Sequence, residues 1–305
     1  MALLLRITNV EVCEDPEDFL NESLATIFPD DVMTQHGDAS HALRYTSPHL
    51  PKPLYIRLAD PDEEEDRVLF GHYLWNASLM LAEFIEAGTS GLQLCPPLRR
   101  GEALELGEGR LIEAAFDVRG LSTIELGSGT ALPSILSALS GAKSVVATDY
   151  PSPPLMELLH ANLSHNTHPT FSPLGKPAES ISVEGHAWGD LDSGPFTQKH
   201  KGGFDRVLAC DCLWMPWQHD NLRRSISWFM KDSAESRAWI VAGFHTGRHN
   251  MVGFFDDRKL AEAGLELEKI WERDVEGQER EWAIERKDDS DRRRWLVVAS
   301  VKKKL

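Results

Sequence analysis

The feature that most constrains this fold is an alternation, beyond residue 120, of short apolar runs rich in β-branched residues with longer stretches of helical periodicity. Strands are predicted at 121–126, 143–148, 181–188, 204–211, 237–244, about 265–273 and 294–301. Helices are predicted near 131–140, 152–164, 217–231 and 251–263. The pattern is typical of an α/β protein in which helices cover both faces of a mostly parallel, seven-strand sheet. Because residues 276–294 are too polar for a crossover helix, we expect the last two strands to form an antiparallel edge pair.

The first part of the chain has a different pattern. A short apolar run bounded by prolines is followed by mostly acidic residues at 60–66, as in a solvated linker. At 70–85 the apolar residues recur at helical spacing, which predicts an amphipathic helix. We therefore divide the chain into an N-terminal extension with an acidic linker, 1–68, and a main domain, 69–305. We expect the extension to pack on the main domain or to lie over its substrate.

The most informative segment is a predicted strand that ends in Glu125 and runs through a Gly127-Ser-Gly129 turn into a helix. Glycine has no Cβ, so the backbone can approach a ligand closely, and the amides that open the helix can bond to ligand oxygens. About twenty residues later the next strand ends in Asp149, where a carboxylate can accept both hydroxyls of a ribose. These residues together predict a site for a cofactor that contains adenosine.

Two details distinguish a dinucleotide from other cofactors that contain adenosine. A dinucleotide-binding turn has Gly or Ala at the third position of its glycine pattern, where this chain has Leu132. An acid directly beneath the turn, at Glu125, would repel a pyrophosphate but suits a cofactor whose near end is an amino acid with an ammonium group. The residues therefore indicate S-adenosylmethionine.

At these positions the sequence resembles the seven-β-strand, S-adenosylmethionine-dependent methyltransferases, whose first motif is an acid-x-Gly-x-Gly turn. Further segments are similar to the lysine-methyltransferase-like branch, which is named nicotinamide N-methyltransferase in fungi and whose best-known relatives are elongation-factor methyltransferases. They are Gly71-His72-Tyr73-Leu74-Trp75-Asn76-Ala77-Ser78, Asp149-Tyr150-Pro151, Gly185-His186-Ala187-Trp188-Gly189 and Asp211-Cys212-Leu213-Trp214. The resemblance covers about residues 68–301 and implies a Rossmann-like fold.

The resemblance also implies roles for individual residues. The implied cofactor-binding residues are Trp75, Glu125, Gly127, Gly129, Asp149 and Trp188. Asp211 and Trp214 match the family's Asp-x-x-aromatic motif and are the implied catalytic residues, with Asp211 orienting the acceptor amine or relaying its proton. Protein-lysine relatives commonly have Tyr in place of Trp214, and an indole cannot supply a hydroxyl acceptor. Four indoles would line the pocket: Trp75, Trp188, Trp214 and Trp217. Each aromatic face would attract a cation by about 0.5–2 kcal/mol. No metal is required.

Three hypotheses about function follow. The favoured one is methyl transfer to the nitrogen of a lysine or N-terminal amine in a protein substrate of the translation-factor type. The alternative is a small-molecule N-methyltransferase acting on nicotinamide or another small amine, since a pyridine-type nitrogen needs no deprotonation. A third is a module that keeps the cofactor fold without catalysis.

Composition limits the partners. With 32 basic and 48 acidic residues the net charge is −16, which argues against a nucleic-acid partner. No run approaches the ~18 consecutive apolar residues of a membrane helix, so we expect no membrane partner. The apolar opening at 2–5 is shorter than the roughly 7–15 residues of an export signal. We therefore predict a cytoplasmic protein with reduced cysteines, and leave the oligomeric state open.

Two pairs of residues invite other interpretations. Cys210 and Cys212 are two apart on a predicted strand, so we expect structural thiols that share one face. His245 and His249 have the i, i+4 spacing of a zinc helix but lack the accompanying Glu and follow a strand, which favours a loop. Such loops lie where ligands bind in parallel sheets, and this leaves the hypothesis that His245 or Arg248 contacts substrate.

Overall fold

The computed structural model describes residues 3–10, 33–37, 42–58, 73–94, 110–192, 194–287 and 292–304. Five short strands come first: β1 (Ile7–Asn9), β2 (Gln35–His36), β3 (Leu43–Tyr45), β4 (Leu54–Ile56) and β5 (Leu74–Trp75). Longer strands follow: β6 (Ser122–Leu126), β7 (Ser144–Asp149), β8 (Ser180–Gly185), β9 (Arg206–Cys210), β10 (Arg237–Gly243), β11 (Leu265–Asp274) and β13 (Trp295–Lys303), with the short β12 (Glu279–Glu281) between the last two. The longer strands match the seven predicted apolar runs closely.

The α-helices in the described residues are α1 (Asn76–Ser90), α2 (Leu132–Leu139), α3 (Pro153–Asn166), α4 (Pro195–Lys199), α5 (His219–Phe229), α6 (Arg248–Val252) and α7 (Asp257–Glu262). Short 3₁₀ segments lie at Leu3–Arg6, Glu113–Phe116, Pro169–Phe171, Cys212–Trp214, Pro216–Gln218, Phe244–Thr246, Gly253–Phe255 and Arg292–Arg294. The helix predicted at 251–263 is therefore wrong as a single element, since the chain makes α6, a 3₁₀ turn and α7 there.

The large sheet has the strand order β12-β11-β13-β10-β9-β6-β7-β8. Strands β6 to β10 are parallel, whereas β13 runs antiparallel to both of its neighbours, β10 and β11. This confirms the predicted Rossmann-like α/β fold with an antiparallel pair toward one edge. The eighth strand, β12, was not predicted because its Glu-Arg-Glu sequence has no apolar pattern, and its described pairing is to β11 alone.

Helices cover the sheet on both faces, as the alternation predicts. One core cluster joins buried residues of α1, α2 and α3 to strand residues such as Val145 and Leu208. The other joins buried residues of α5 and α7 to the alternate strand residues, such as Val146 and Val207. Neighbouring strand residues thus enter opposite cores, which is the period-2 alternation of strands buried on both faces.

The described N-terminal residues pack against the first of these cores. Strands β1, β3 and β4 form a three-stranded antiparallel sheet, and its buried side chains belong to the same cluster as α1. Arg6 is buried and donates to Glu83 at 3.0 Å and to Glu86 at 2.8 Å, both on α1. The acidic run at 60–66 and the proposed boundary at residue 68 lie outside the described residues, so the division into 1–68 and 69–305 stays a prediction.

Helix α1 begins later than its apolar spacing predicts. Leu74 and Trp75 are extended because they pair with Gln35 and His36 in a two-stranded antiparallel ladder. The helix ends at Ser90, where Gly91 takes a left-handed conformation with φ of 68°. Among the described residues, no helix is long and apolar enough to cross a membrane.

Candidate active site

A cavity of about 240 Å³ lies where the parallel strands β6 to β9 end. It takes residues from the turn after β6, the end of β7, the segment after β8 and the segment after β9, while β5 and α1 close another side. Its lining residues are Tyr73, Trp75, Ser78, Gly127, Ser128, Gly129, Thr130, Asp149, Tyr150, His186, Ala187, Trp188, Cys210, Asp211, Cys212, Trp214, Met215, Gln218 and Asn221. This is the edge at which open α/β sheets bind ligands.

The structure brings most of the predicted site residues together in this one cavity. Seven of the eight line it: Trp75, Gly127, Gly129, Asp149, Trp188, Asp211 and Trp214. The exception is Glu125. Sequence reasoning missed the contribution of α5 and the turn before it, Gln218 and Asn221, because no motif marks those residues.

The glycine turn is packed too tightly at Gly127 for a side chain. Gly127 has a φ of +69°, and a Cβ there would lie 2.9 Å from Trp188 Cζ2 and 2.9 Å from Cys212 Sγ. Gly129 also has a positive φ, of 52°, and its amide donates to Asp149 Oδ2 at 2.7 Å. The turn therefore forms a cradle of backbone in the cavity wall, between the β6 and β7 strand ends.

Asp149 is held by backbone amides on both oxygens. Besides the Gly129 bond, its Oδ1 accepts from the Tyr150 amide at 2.7 Å. The Asp149 carboxyl is buried, and burial raises its pKa. The two amide bonds lower the pKa but do not outweigh burial. A carboxylate oxygen has more than one acceptor site, so the clamped group can still accept ligand hydroxyls.

Glu125 lies beneath the cavity and does not line it, so its contact with the cofactor stays a prediction. Its Oε2 accepts from the Ser134 amide at 3.0 Å, and its fully buried Oε1 has no hydrogen-bond partner in the described part of the chain. Burial raises the pKa of Glu125 to about 8, against the lowering effect of the Ser134 bonds. An orphaned acidic oxygen beside a glycine cradle fits a ligand with an ammonium group, as S-adenosylmethionine has.

Three of the four predicted indoles line the cavity. Trp75, Trp188 and Trp214 contribute to its wall, whereas Trp217 does not. The side chain of Trp217 is 70% exposed and packs edge to face against Trp214, with ring centroids 6.4 Å apart. The fourth indole is therefore at the outer side of the cavity wall.

Asp211 adopts the left-handed conformation, with a φ of 55°, immediately after β9 ends. The carboxylate Oδ1 accepts from the Gly243 amide at 3.2 Å and from His245 Nε2 at 3.0 Å, and the side chain lines the cavity. A positive φ at a residue with a side chain is strained, and such strain persists where the surrounding structure determines it. The fold thus holds this acid in one defined position at the strand end.

The left-handed turn at Asp211 makes the prediction that Cys210 and Cys212 share one face of a strand wrong. Because β9 ends at Cys210, strand alternation does not reach Cys212, and the two thiols enter different core clusters. Both are buried, burial raises the pKa of each thiol, and both also contribute to the cavity wall.

His245 and Arg248 do not line the cavity, so the described contacts do not support a direct role in substrate contact for either. His245 lies one layer behind, bonded to Asp211 and stacked on Trp75 with ring centroids 4.7 Å apart. The guanidinium of Arg248 instead bonds to the buried Glu272, at 2.5 and 3.1 Å. No group of His, Cys, Asp and Glu among the described residues is arranged to hold a metal ion.

Comparison with known proteins agrees with this geometry. The model of a family described as "Lysine methyltransferase" matches residues 61–259. The chain is 29% identical to "Protein N-terminal and lysine N-methyltransferase EFM7" of Gibberella zeae, over 73% of this chain and 74% of that protein. It is 28% identical to the protein of the same name in Schizosaccharomyces pombe, over 75% and 76% of the two chains.

The fold is also that of solved methyltransferase structures. A chain assigned as an S-adenosylmethionine-dependent methyltransferase from Streptococcus mutans superposes with a TM-score of 0.50 at 10% identity, covering 93% of this chain and 65% of that one. At that identity the likeness shows the fold alone, whereas the family match spans more than half of the sequence. The chain therefore belongs to the lysine methyltransferase family and is an S-adenosylmethionine-dependent methyltransferase.

Proposed function

We propose that this enzyme methylates an amine nitrogen of a protein, either a lysine side chain or an N-terminal amine. The observation that carries the proposal is the placement of Asp211, a clamped acid that shares one cavity with Asp149 and the glycine turn. The names of the relatives from Gibberella zeae and Schizosaccharomyces pombe support the same class of acceptor.

One group of cavity residues would bind the cofactor, and another would bind the acceptor amine. Gly127, Gly129 and Asp149 would hold S-adenosylmethionine, which when bound supplies a methyl group on a positively charged sulfur. Trp75 and Trp188 line the same cavity, and aromatic faces favour positive charge. Because the reaction is a displacement, the protein contributes mainly alignment of the acceptor and exclusion of water.

The acceptor amine must lose its proton before it can attack. At pH 7 this costs roughly 4–5 kcal/mol for a lysine of ordinary pKa, about 10.4, but only about 1 kcal/mol for an N-terminal amine. Two acids among the described residues line the cavity, and since Asp149 is bonded to the glycine turn, we assign to Asp211 the orientation of the amine and the receipt of its proton. Trp214 cannot accept a hydrogen bond, since an indole only donates, so it would contribute an apolar wall beside the amine.

The outer side of the cavity favours a macromolecular acceptor over a small amine. Tyr150, which lines the cavity, is 51% exposed, and Trp217, which packs on the lining residue Trp214, is 70% exposed. Exposed aromatic side chains beside an active site are suited to contact a protein surface. The small-molecule hypothesis, with nicotinamide as acceptor, lacks comparable support.

We further propose a cytoplasmic enzyme whose substrate is of the translation-factor type. The substrate class rests on the resemblance to elongation-factor methyltransferases. The compartment is supported by the two free cysteines of the described chain, Cys210 and Cys212, since buried unpaired thiols suit a reducing environment.

The first experiment compares protein and small-molecule acceptors directly. Purified enzyme is incubated with methyl-labelled S-adenosylmethionine and a lysate from cells that lack it, and in parallel with nicotinamide. We expect label in a discrete protein band, where mass spectrometry then identifies the modified amine. Label found only in the small-molecule fraction would overturn the proposal in favour of a metabolic N-methyltransferase.

A second experiment tests the role of Asp211 with the variant Asp211→Ala. If Asp211 acts on the acceptor amine, this variant loses turnover by at least tenfold while its affinity for S-adenosylhomocysteine changes far less. An Asp211→Ala enzyme with full activity would remove the acid from the mechanism. Binding of S-adenosylhomocysteine without transfer to any acceptor would instead support the non-catalytic hypothesis.

A further inference from the structure

We propose that His245 is a positioning residue that couples the two sides of the active site, by orienting the acceptor-side Asp211 through its ring N–H and supporting the cofactor-side Trp75 through its ring face. This inference rests on the proposed function for the role of Asp211 and for the placement of Trp75 beside the cofactor. No sequence motif predicts that His245 bonds to Asp211 or stacks on Trp75.

The acceptor side of the coupling is a hydrogen bond. His245 Nε2 lies 3.0 Å from Asp211 Oδ1, and since a carboxylate oxygen accepts, the ring nitrogen is the donor. Burial lowers the pKa of His245, but the charge of Asp211 and this bond outweigh burial and raise it. The second donor to the same oxygen, the Gly243 amide, is longer at 3.2 Å. His245 is therefore the side chain that fixes how the Asp211 carboxylate is turned.

The cofactor side of the coupling is a ring stack. The imidazole and the Trp75 indole have centroids 4.7 Å apart and an interplanar angle of 21°. Trp75 lines the cavity, whereas His245 lies behind it, so the imidazole supports one face of the indole from the protein side. Tyr73 packs edge to face on the same indole, with ring centroids 6.2 Å apart, so loss of the imidazole would remove the stacked support of Trp75 and keep the edge contact.

The local backbone makes room for the hydrogen bond between His245 and Asp211. His245 lies in a 3₁₀ turn, Phe244–Thr246, that follows β10 directly. A Cβ on the preceding Gly243 would lie 3.2 Å from His245 Cδ2 and 3.8 Å from Asp211 Oδ2. A glycine at this position thus lets imidazole and carboxylate approach each other across neighbouring strand ends.

Three variants separate the two contacts. His245→Phe keeps a ring to stack on Trp75 but loses the donor to Asp211. His245→Gln keeps an N–H at about the reach of Nε2 but loses the ring. His245→Ala loses both, and His249→Ala, at an exposed position on α6, serves as the control.

Each variant is measured for S-adenosylhomocysteine affinity by calorimetry, for kcat with the protein acceptor, and for thermal midpoint. We expect His245→Phe to lose roughly 10- to 100-fold in kcat, the effect of losing a hydrogen bond to a charged group, at nearly unchanged cofactor affinity. His245→Gln should restore kcat to within a few-fold while cofactor affinity falls about 2- to 10-fold, the effect of losing a ring stack. His245→Ala should show both losses.

The split between kcat and affinity is the decisive result. Wild-type kcat in His245→Phe, or equal losses of kcat and affinity in all three variants together with a lowered thermal midpoint, would overturn the inference. A wild-type enzyme that methylates no protein amine would refute the proposed function instead. In that case the coupling is tested by affinity alone, and unchanged cofactor affinity in both His245→Gln and His245→Ala would refute it.

Discussion

Replacing Glu125 by Gln should stabilise the cofactor-free enzyme at alkaline pH, because the wild-type side chain is a buried acid with one unpartnered oxygen. Its pKa is about 8 in the folded protein against 4.5 when exposed. Between these values the unfolded chain gives up the proton that the folded protein retains. The stability contributed by Glu125 is therefore fully present below pH 4.5 and is lost as the pH rises through 8.

The size of this effect follows from the two pKa values. The difference between about 8 and 4.5, at about 1.36 kcal/mol for each pH unit, amounts to about 5 kcal/mol by pH 9. A Gln side chain keeps an acceptor for Ser134 but has no proton to lose, so its stability should not share this slope. The buried amide that it introduces costs about 1–3 kcal/mol at every pH. This cost lowers the free energy of unfolding by the same amount throughout and does not change its dependence on pH.

Urea unfolding of cofactor-free protein between pH 5.5 and 9 measures the effect. The difference in unfolding free energy between Glu125→Gln and wild type should rise with pH by several kcal/mol. Glu157→Gln, at an exposed position on α3, is the control and should follow wild type. Parallel curves for Glu125→Gln and wild type would refute the account of a buried, neutral Glu125.

Other predictions concern the cofactor turn and the N-terminal packing. Gly127→Ala should abolish S-adenosylhomocysteine binding in calorimetry, because the added Cβ would lie 2.9 Å from an indole and from a thiol; measurable binding at near wild-type affinity would contradict the cradle. Asp149→Ala should weaken that binding at least tenfold by removing a carboxylate placed for ribose hydroxyls. Arg6→Ala should destabilise the fold by about 3–5 kcal/mol in urea unfolding, because it leaves Glu83 and Glu86 buried without their cation; a loss below 1 kcal/mol would show that water reaches the pair.

The central fold was predictable because its signals are local. Each parallel strand is a short apolar run, and each covering helix shows its own periodicity, so the boundaries of β6 to β10 follow from neighbouring residues. The glycine turn was predictable for the same reason, since Gly127 and Gly129 mark a backbone conformation that other residues rarely adopt. Asp149 is fixed by its place at the end of the next strand.

Elements that depend on a distant partner could not be predicted. The charged β12 is a strand because β11 offers a backbone ladder, and Leu74–Trp75 is extended because β2 pairs with it. Conversely, the periodicity at 251–263 continues through a chain that folds into three short turns of helix. In the first two cases a tertiary contact outweighs the local preference, whereas the break within 251–263 is local, since Asp256 caps α7 by accepting from the Lys259 amide.

The residue types of the active site were determined by the sequence: a glycine turn, an acid after each of two strands, and indoles at the family's positions. Only the tertiary structure decided that one oxygen of Glu125 has no partner among the described residues, that Trp217 stands outside the cavity lining, and that Asp211 meets a histidine 34 positions away. That meeting depends on β9 lying beside β10, and strand order is a property of the whole packed sheet. Local sequence specifies which groups stand at the strand ends, whereas the packing of the sheet specifies which of them touch.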